Sequence, residues 1–287
     1  MSENPYESPR TETKWPRPWR FIPAAELARI ILESLQENQR REHEYRVVDG
    51  RAFRHLSGRF YRRTQRELEA LGFTLIGDLE DVTLNATSVS PRTFIRTMVD
   101  RSGTTVAAFY HVKPRILGRI YMLLAGIPSK CVEFESHTPS GRTYCTTATP
   151  NSTWLPVPDA IKREPASTSF GAADLYDRHL QSLATHRESE PLMRIRNVED
   201  LIRVQNLQNR QVYDHLEEIG WATTDYLRNQ GVPAAMVDEV YREIQLRLAV
   251  DRMNDELAAT GSGEENEAAE SSDPDRSAIP PGRNPFR

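Results

Sequence analysis

The chain has 287 residues and a mass of 32.8 kDa; 37 Lys and Arg against 41 Asp and Glu leave a net charge of −4, with 38% hydrophobic and 27% charged residues and a mean hydropathy of −0.61. Two cysteines, seven histidines and the lack of any run of ~18 apolar residues exclude a disulfide framework, a thiolate metal cage and a membrane-spanning helix. The near-neutral balance argues against a general nucleic-acid binder, and the scarce cysteines with a polar, apolar-core-free start point to a cytoplasmic, reducing setting.

In chain order, residues 1–14 read as a disordered tail. The prolines of TKWPRPWRFIP impose an extended entry, and Pro23 stands at a first helical position. Leu27, Ile30, Ile31 and Leu35 recur at helical spacing, with VVDG closing that helix. A second helix is expected from Ser57 to Leu71, burying Phe60, Tyr61, Thr64, Leu68 and Leu71 and capped by Gly72.

The period then changes to two. Phe73, Leu75 and Ile76 open a strand, Arg-Ser-Gly joins TFIRTMVD to TTVAAFYHV, and Thr-Pro-Ser-Gly joins KCVEFESH to RTYCTTAT. The pattern predicts an antiparallel meander of about five strands from Phe73 to Ala148, packed with the two N-terminal helices. The Pro-rich stretch through residues 149–165 reads as a surface excursion that ends the sheet.

Helical spacing returns at Ala172, Leu175, Tyr176, Leu180 and Leu183, then over Val198–Ile219, which Gly220-Trp221 terminates. Thr223 or Thr224 caps a short helix, and Pro233 starts a last one carrying Val237, Val240, Ile244 and Leu248. The fold class is α+β: a core domain over 15–187, a helical C-terminal subdomain over 188–257 and a disordered acidic, Pro-containing tail over 258–287. Residues 188–287 carry 11 basic and 20 acidic groups, six of the acids between Glu264 and Asp275, as expected of a solvated tail.

Candidate chemistry concentrates in the second hairpin. With Pro139 and Ser140 as the central turn residues, Glu133, Glu135, His137, Arg142 and Tyr144 share one solvated face, while Val132, Phe134, Cys145 and Thr147 share the other. Cys131 and Cys145 then point to opposite faces and form no disulfide. Two carboxylates beside a His and a Tyr are the residue types of a ligand-binding or acid–base site, although alternating charge also marks an ordinary solvated sheet face.

Arg59, Arg62, Arg63 and Arg66 stand on one helical face and form a candidate anion-binding stripe for an anionic polymer or lipid headgroup. His111, His179 and His186 read as surface or capping histidines. Ile116, Leu117, Ile120, Leu123 and Leu124 read as packing onto the sheet, as a subunit contact or, last, as a short amphipathic helix on a membrane surface. Gln205, Gln208 and Asn209 interrupt the apolar stripe of the long helix, as amides that set register in a helix seam do, or as a helix solvated through its middle does.

No nucleophile elbow, zincin, Walker or dinucleotide-binding motif occurs, and no metal or other cofactor is expected. The reading that follows is a non-catalytic interaction or adaptor protein, binding an unknown protein partner or forming a homo-oligomer through Ile116–Leu124 or the C-terminal helices. A small-ligand binder or enzyme using the polar sheet face is the alternative, and anionic contact through the arginine stripe the third.

Overall fold

The computed structural model describes residues 21–86, 92–113, 128–148, 155–167, 169–187 and 190–270. The predicted N-terminal tail, the Ile116–Leu124 segment and residues 271–287 lie outside them. In chain order come α1 (Ala24–Asn38), β1 (Tyr45–Val47), α2 (Gly58–Ala70), β2 (Thr74–Asp81), α3 (Val82–Asn85), β3 (Ile95–Val99), β4 (Val106–His111), β5 (Lys130–His137), β6 (Thr143–Thr147), β7 (Ile161–Pro165), α4 (Ala172–His186), α5 (Val198–Glu218), α6 (Thr224–Asn229) and α7 (Val237–Glu270). No helix among the described residues is long and apolar enough to cross a membrane.

The α+β class holds, with a larger sheet than the expected meander. Seven strands lie in the order β1 to β7, antiparallel except that β7 runs parallel to β6. Both added strands correct the sequence reading. VVDG does not close the first helix, which ends at Asn38; Tyr45–Val47 instead pairs with β2. Ile161–Pro165 is no surface excursion but an edge strand, and Ile161 is buried.

Both sheet faces are covered. On one, α2 and α4 pack Phe60, Tyr61, Leu68 and Leu175 against Phe73, Met98, Phe109 and Phe134. α2 forms because Ser57 caps its first turn, accepting from Phe60 N, and because its apolar residues fall on one stripe. Gly72 ends it at φ +90, a left-handed conformation open to glycine at little cost. On the opposite face, the N-terminal half of α5 lays Val198, Leu201 and Val204 on Leu79, Val99 and Val106.

A third cluster is all but helical. α1 packs against α7 and the C-terminal half of α5, joining Leu27, Leu35, Val212, Leu216, Leu227, Val240 and Ile244 around Trp221, with Ile161 of β7 at its margin. The first helix therefore covers the helical layer rather than the sheet, a correction to the expected core. α7 also continues to Glu270, past Ala258, where the sequence predicts a disordered tail.

Candidate functional site

The ladder decides which side chains meet. β5 and β6 pair as Glu133↔Thr147, Glu135↔Cys145 and His137↔Thr143. The turn is therefore one residue longer than expected: Thr138 N donates to Arg142 O, and Gly141 sits at φ +89 in the loop. A three-residue loop ending on a left-handed glycine places each β6 residue one position from its expected partner, and a one-residue change moves every side chain to the other face.

Glu133, Glu135 and His137 do share a face, together with Cys131, Thr143, Cys145 and, across the parallel pair, Arg163. Tyr144 does not join them: it lies on the opposite face beneath α4, its hydroxyl donating to His186 O at 3.4 Å. Arg142 belongs to the loop-closing position. Cys131 and Cys145 share a face rather than opposing one another, yet both are free, because they stand four ladder positions apart, about 13 Å at strand rise.

The face is not solvated. α5 covers it, and the amides that interrupt the α5 stripe are what meet it. Gln205 Nε2 donates to Glu135 Oε2 at 2.6 Å, and Asn209 Nδ2 donates to the Tyr45 hydroxyl at 3.1 Å. These amides set register against a sheet, not against another helix. Glu135 is 7% exposed and His137 4%. His137 Nδ1 lies 3.0 Å from Thr143 Oγ1, and its Nε2 lies 3.6 Å from Glu135 Oε2.

Burial opposes ionisation of Glu135, but His137, the Gln205 amide and Arg163 outweigh it and hold this carboxyl below its usual range. Glu133 goes the other way. Burial and the charge of Glu135, against Arg163, push its carboxyl up to about 8. Burial with the charge of Glu133 raises the Cys131 thiol to about 12, and burial with both carboxylates raises Cys145. The pair therefore carries one negative charge at neutral pH, and neither thiol supplies a thiolate nucleophile.

Chemically, a protonated Glu133 beside an ionised Glu135 can hold and exchange a proton. What the cluster lacks is room. The cavity that reaches His137, lined also by Gln208 and Gln211, has a volume of about 10 Å³, near the size of one water molecule. His137 Nε2 and the Oε1 atoms of Gln208 and Gln211 are buried without a hydrogen-bond partner among the described residues. No group of three or more His, Cys, Asp or Glu able to hold a metal occurs among those residues.

A second polar cluster lies under α4 and escaped the sequence reading. His179 is fully buried, not a surface or capping residue; its Nε2 lies 3.0 Å from Ser136 Oγ and its Nδ1 3.1 Å from Thr146 Oγ1. Burial pushes its imidazole down to about 4, so the ring is neutral. The Ser–His pair is sealed and structural, since Ser136 and Thr146 are equally inaccessible. The signal was its position on the apolar stripe of α4, level with Leu175 and Leu183. His111 does act at a helix end, accepting from Ser57 N at 2.9 Å.

Arg59, Arg62, Arg63 and Arg66 are all exposed on the outer side of α2. Arg63 pairs with Glu67 at 3.3 Å, and Arg66 Nε donates to Arg62 O at 3.2 Å. The most unusual surface lies on α7. Beyond Leu248, the last buried residue among those whose burial is described, the helix is exposed on every side through Ala258. There Leu246, Val250, Met253 and Leu257, exposed by 43–66%, repeat at spacings of four, three and four on the side opposite the buried stripe. Comparison with family models, with curated proteins and with solved structures returns no match.

Proposed function

We propose that this chain is a non-catalytic interaction protein that self-associates through α7. The observation that carries the reading is the stripe Leu246, Val250, Met253 and Leu257, four large apolar side chains at heptad spacing that stay exposed by 43–66% on the side of α7 opposite its buried stripe. Covering them is worth about 1 kcal/mol per residue for the half still exposed. A second copy of α7 supplies the matching seam.

Light scattering coupled to size exclusion tests it. The chain is expected to run as a dimer at micromolar concentration, and the double substitution Val250→Asp/Met253→Asp to run as a monomer with unchanged circular dichroism. A monomeric parent chain at concentrations of tens of micromolar, or a dimer untouched by the substitutions, sinks the reading.

A second reading rests on Glu133, a carboxyl raised to about 8 beside an ionised Glu135, the pattern of a proton-transfer or small-ligand site. Under it, Glu133, Glu135, His137 and Arg163 form the polar lining reached through a transient opening of α5. Native mass spectrometry separates the two: a stoichiometric extra mass lost in Glu135→Gln supports the sheet-face site, and a clean apo dimer supports the α7 seam.

A further inference from the structure

A groove of about 460 Å³ opens between the end of α2, the β3–β4 turn and the segment that leads into α5. Three arginines line it: Arg101, Arg194 and Arg196. None of the three guanidiniums has a hydrogen bond or ion pair among the described residues, whereas Arg29, Arg92, Arg96 and Arg178 all hold carboxylates.

The backbone fixes where these cations stand. Asp100 is engaged in holding its own turn, accepting from Ser102 Oγ at 2.6 Å, Thr104 N at 2.8 Å and Thr105 N at 3.0 Å. Arg101 lies across Gly72; a Cβ added there would come within 2.8 Å of Arg101 Nε. Ile195 N donates to Gly103 O at 2.7 Å and Met193 N to His137 O at 2.8 Å, so the chain between them is pinned to the sheet. Ile195 is buried, and in an extended segment its two neighbours, Arg194 and Arg196, turn outward on one side.

The nearby acids do not neutralise the set. Asp200 Oδ2 accepts from Arg196 N at 3.1 Å and Asp200 Oδ1 from Arg203 Nη1 at 3.3 Å. α5 begins at Val198, two residues past Arg196, so the positive end of its dipole adds to the field.

We propose that this groove binds the phosphoryl group of a small phosphate ester. Guanidiniums bind phosphate oxygens bidentately with charge-assisted hydrogen bonds, and three of them around one opening suit a dianion better than a carboxylate. The volume falls within the range of small-ligand pockets and exceeds what phosphate alone needs, leaving room for the organic part of an ester. The site is separate from the α7 seam and from the arginines on the outer side of α2.

Inorganic pyrophosphate is the first probe, by thermal shift and titration calorimetry at fixed ionic strength. A saturable rise in Tm is expected, with affinity reduced at least about tenfold in Arg101→Gln/Arg194→Gln and unchanged in Arg62→Ala/Arg63→Ala. A second arm uses phosphatidylcholine vesicles with and without a phosphomonoester-headgroup lipid. Binding confined to the phosphomonoester vesicles, with the same arginine dependence, keeps the site and assigns its ligand to a lipid headgroup. No response in either arm, or one that survives Arg101→Gln/Arg194→Gln or vanishes with Arg62→Ala/Arg63→Ala, overturns the proposal.

Discussion

Glu133 and Glu135 stand two positions apart on one strand face, so burial and the neighbouring charge act together on the first. Its carboxyl is raised from 4.5 to about 8. Between those values the folded chain holds a proton that the unfolded chain has released, so stability falls as the pH rises through that window. Urea unfolding of Glu133→Gln from pH 5 to 8 is expected to show a flatter pH dependence and higher stability at pH 8; an unchanged slope contradicts it. Glu135, held below its usual range, contributes in the opposite sense: its stabilisation is present above the ordinary carboxylate range and lost as the pH falls through it. His179, lowered from 6.5 to about 4, stays neutral in the fold, so its contribution is full above 6.5 and lost on acidification through that interval. His179→Ala removes the ring partner of Thr146 Oγ1, leaves Ser136 Oγ with Thr105 Oγ1 at 3.2 Å, and is expected to cost about 2–4 kcal/mol by chemical denaturation.

At the scale of elements, capping and periodicity carried most of the information. Ser57, Asn197 and Thr223 each cap the helix that follows by accepting from a backbone N–H, a local interaction visible in the residue order. The β5–β6 hairpin is where local reasoning failed, because TPSG admits a two-residue or a three-residue loop and only the ladder distinguishes them. The choice decided that Glu133, Glu135 and His137 stay together while Tyr144 crosses to the other face. Gly141 holds the chosen loop: its φ is +89, and an added Cβ would sit 2.7 Å from Gln211 Nε2. Gly141→Ala is therefore expected to destabilise by about 1–2 kcal/mol, measured against Gly171→Ala, whose φ of −76 and 3.7 Å clearance carry neither penalty. Trp221, at φ 66, is strained in the same sense; burial and an edge contact with Tyr213 at 5.3 Å hold it there.

Across the whole molecule, α5 joins the layers. Its first half packs on the sheet through Val198, Leu201 and Val204, and its second half enters the helical cluster through Val212 and Leu216. Packing thus crosses residue 187 in both directions, with α1 on the helical layer and α5 on the sheet. The coupling predicts one cooperative transition: in urea, Trp221 fluorescence from the helical layer, read with Trp15, Trp19 and Trp154 replaced by Phe, and exposure of Cys131 and Cys145 from the sheet should share a midpoint. Separate midpoints would show that the helical layer melts alone.

What the residues determined by themselves were the features set within a few positions of chain: the helices, their caps, the strand period, and an α+β class with an antiparallel sheet. What only the tertiary structure decided was everything that depends on distant segments meeting. β1, three residues long, and β7, whose Ile-Lys-Arg-Glu-Pro carries one large apolar residue and ends on proline, do not announce themselves and pair because an edge was open to them. The Glu135 carboxylate on β5 is buried because an α5 amide can satisfy it, a match across 70 residues between Gln205 and Glu135. The groove of Arg101, Arg194 and Arg196 joins a turn to a segment more than ninety residues away, held there by the Ile195 N to Gly103 O hydrogen bond. Local rules act through neighbours in sequence, whereas these pairings follow from which surfaces the chain has left uncovered once its helices and strands have formed.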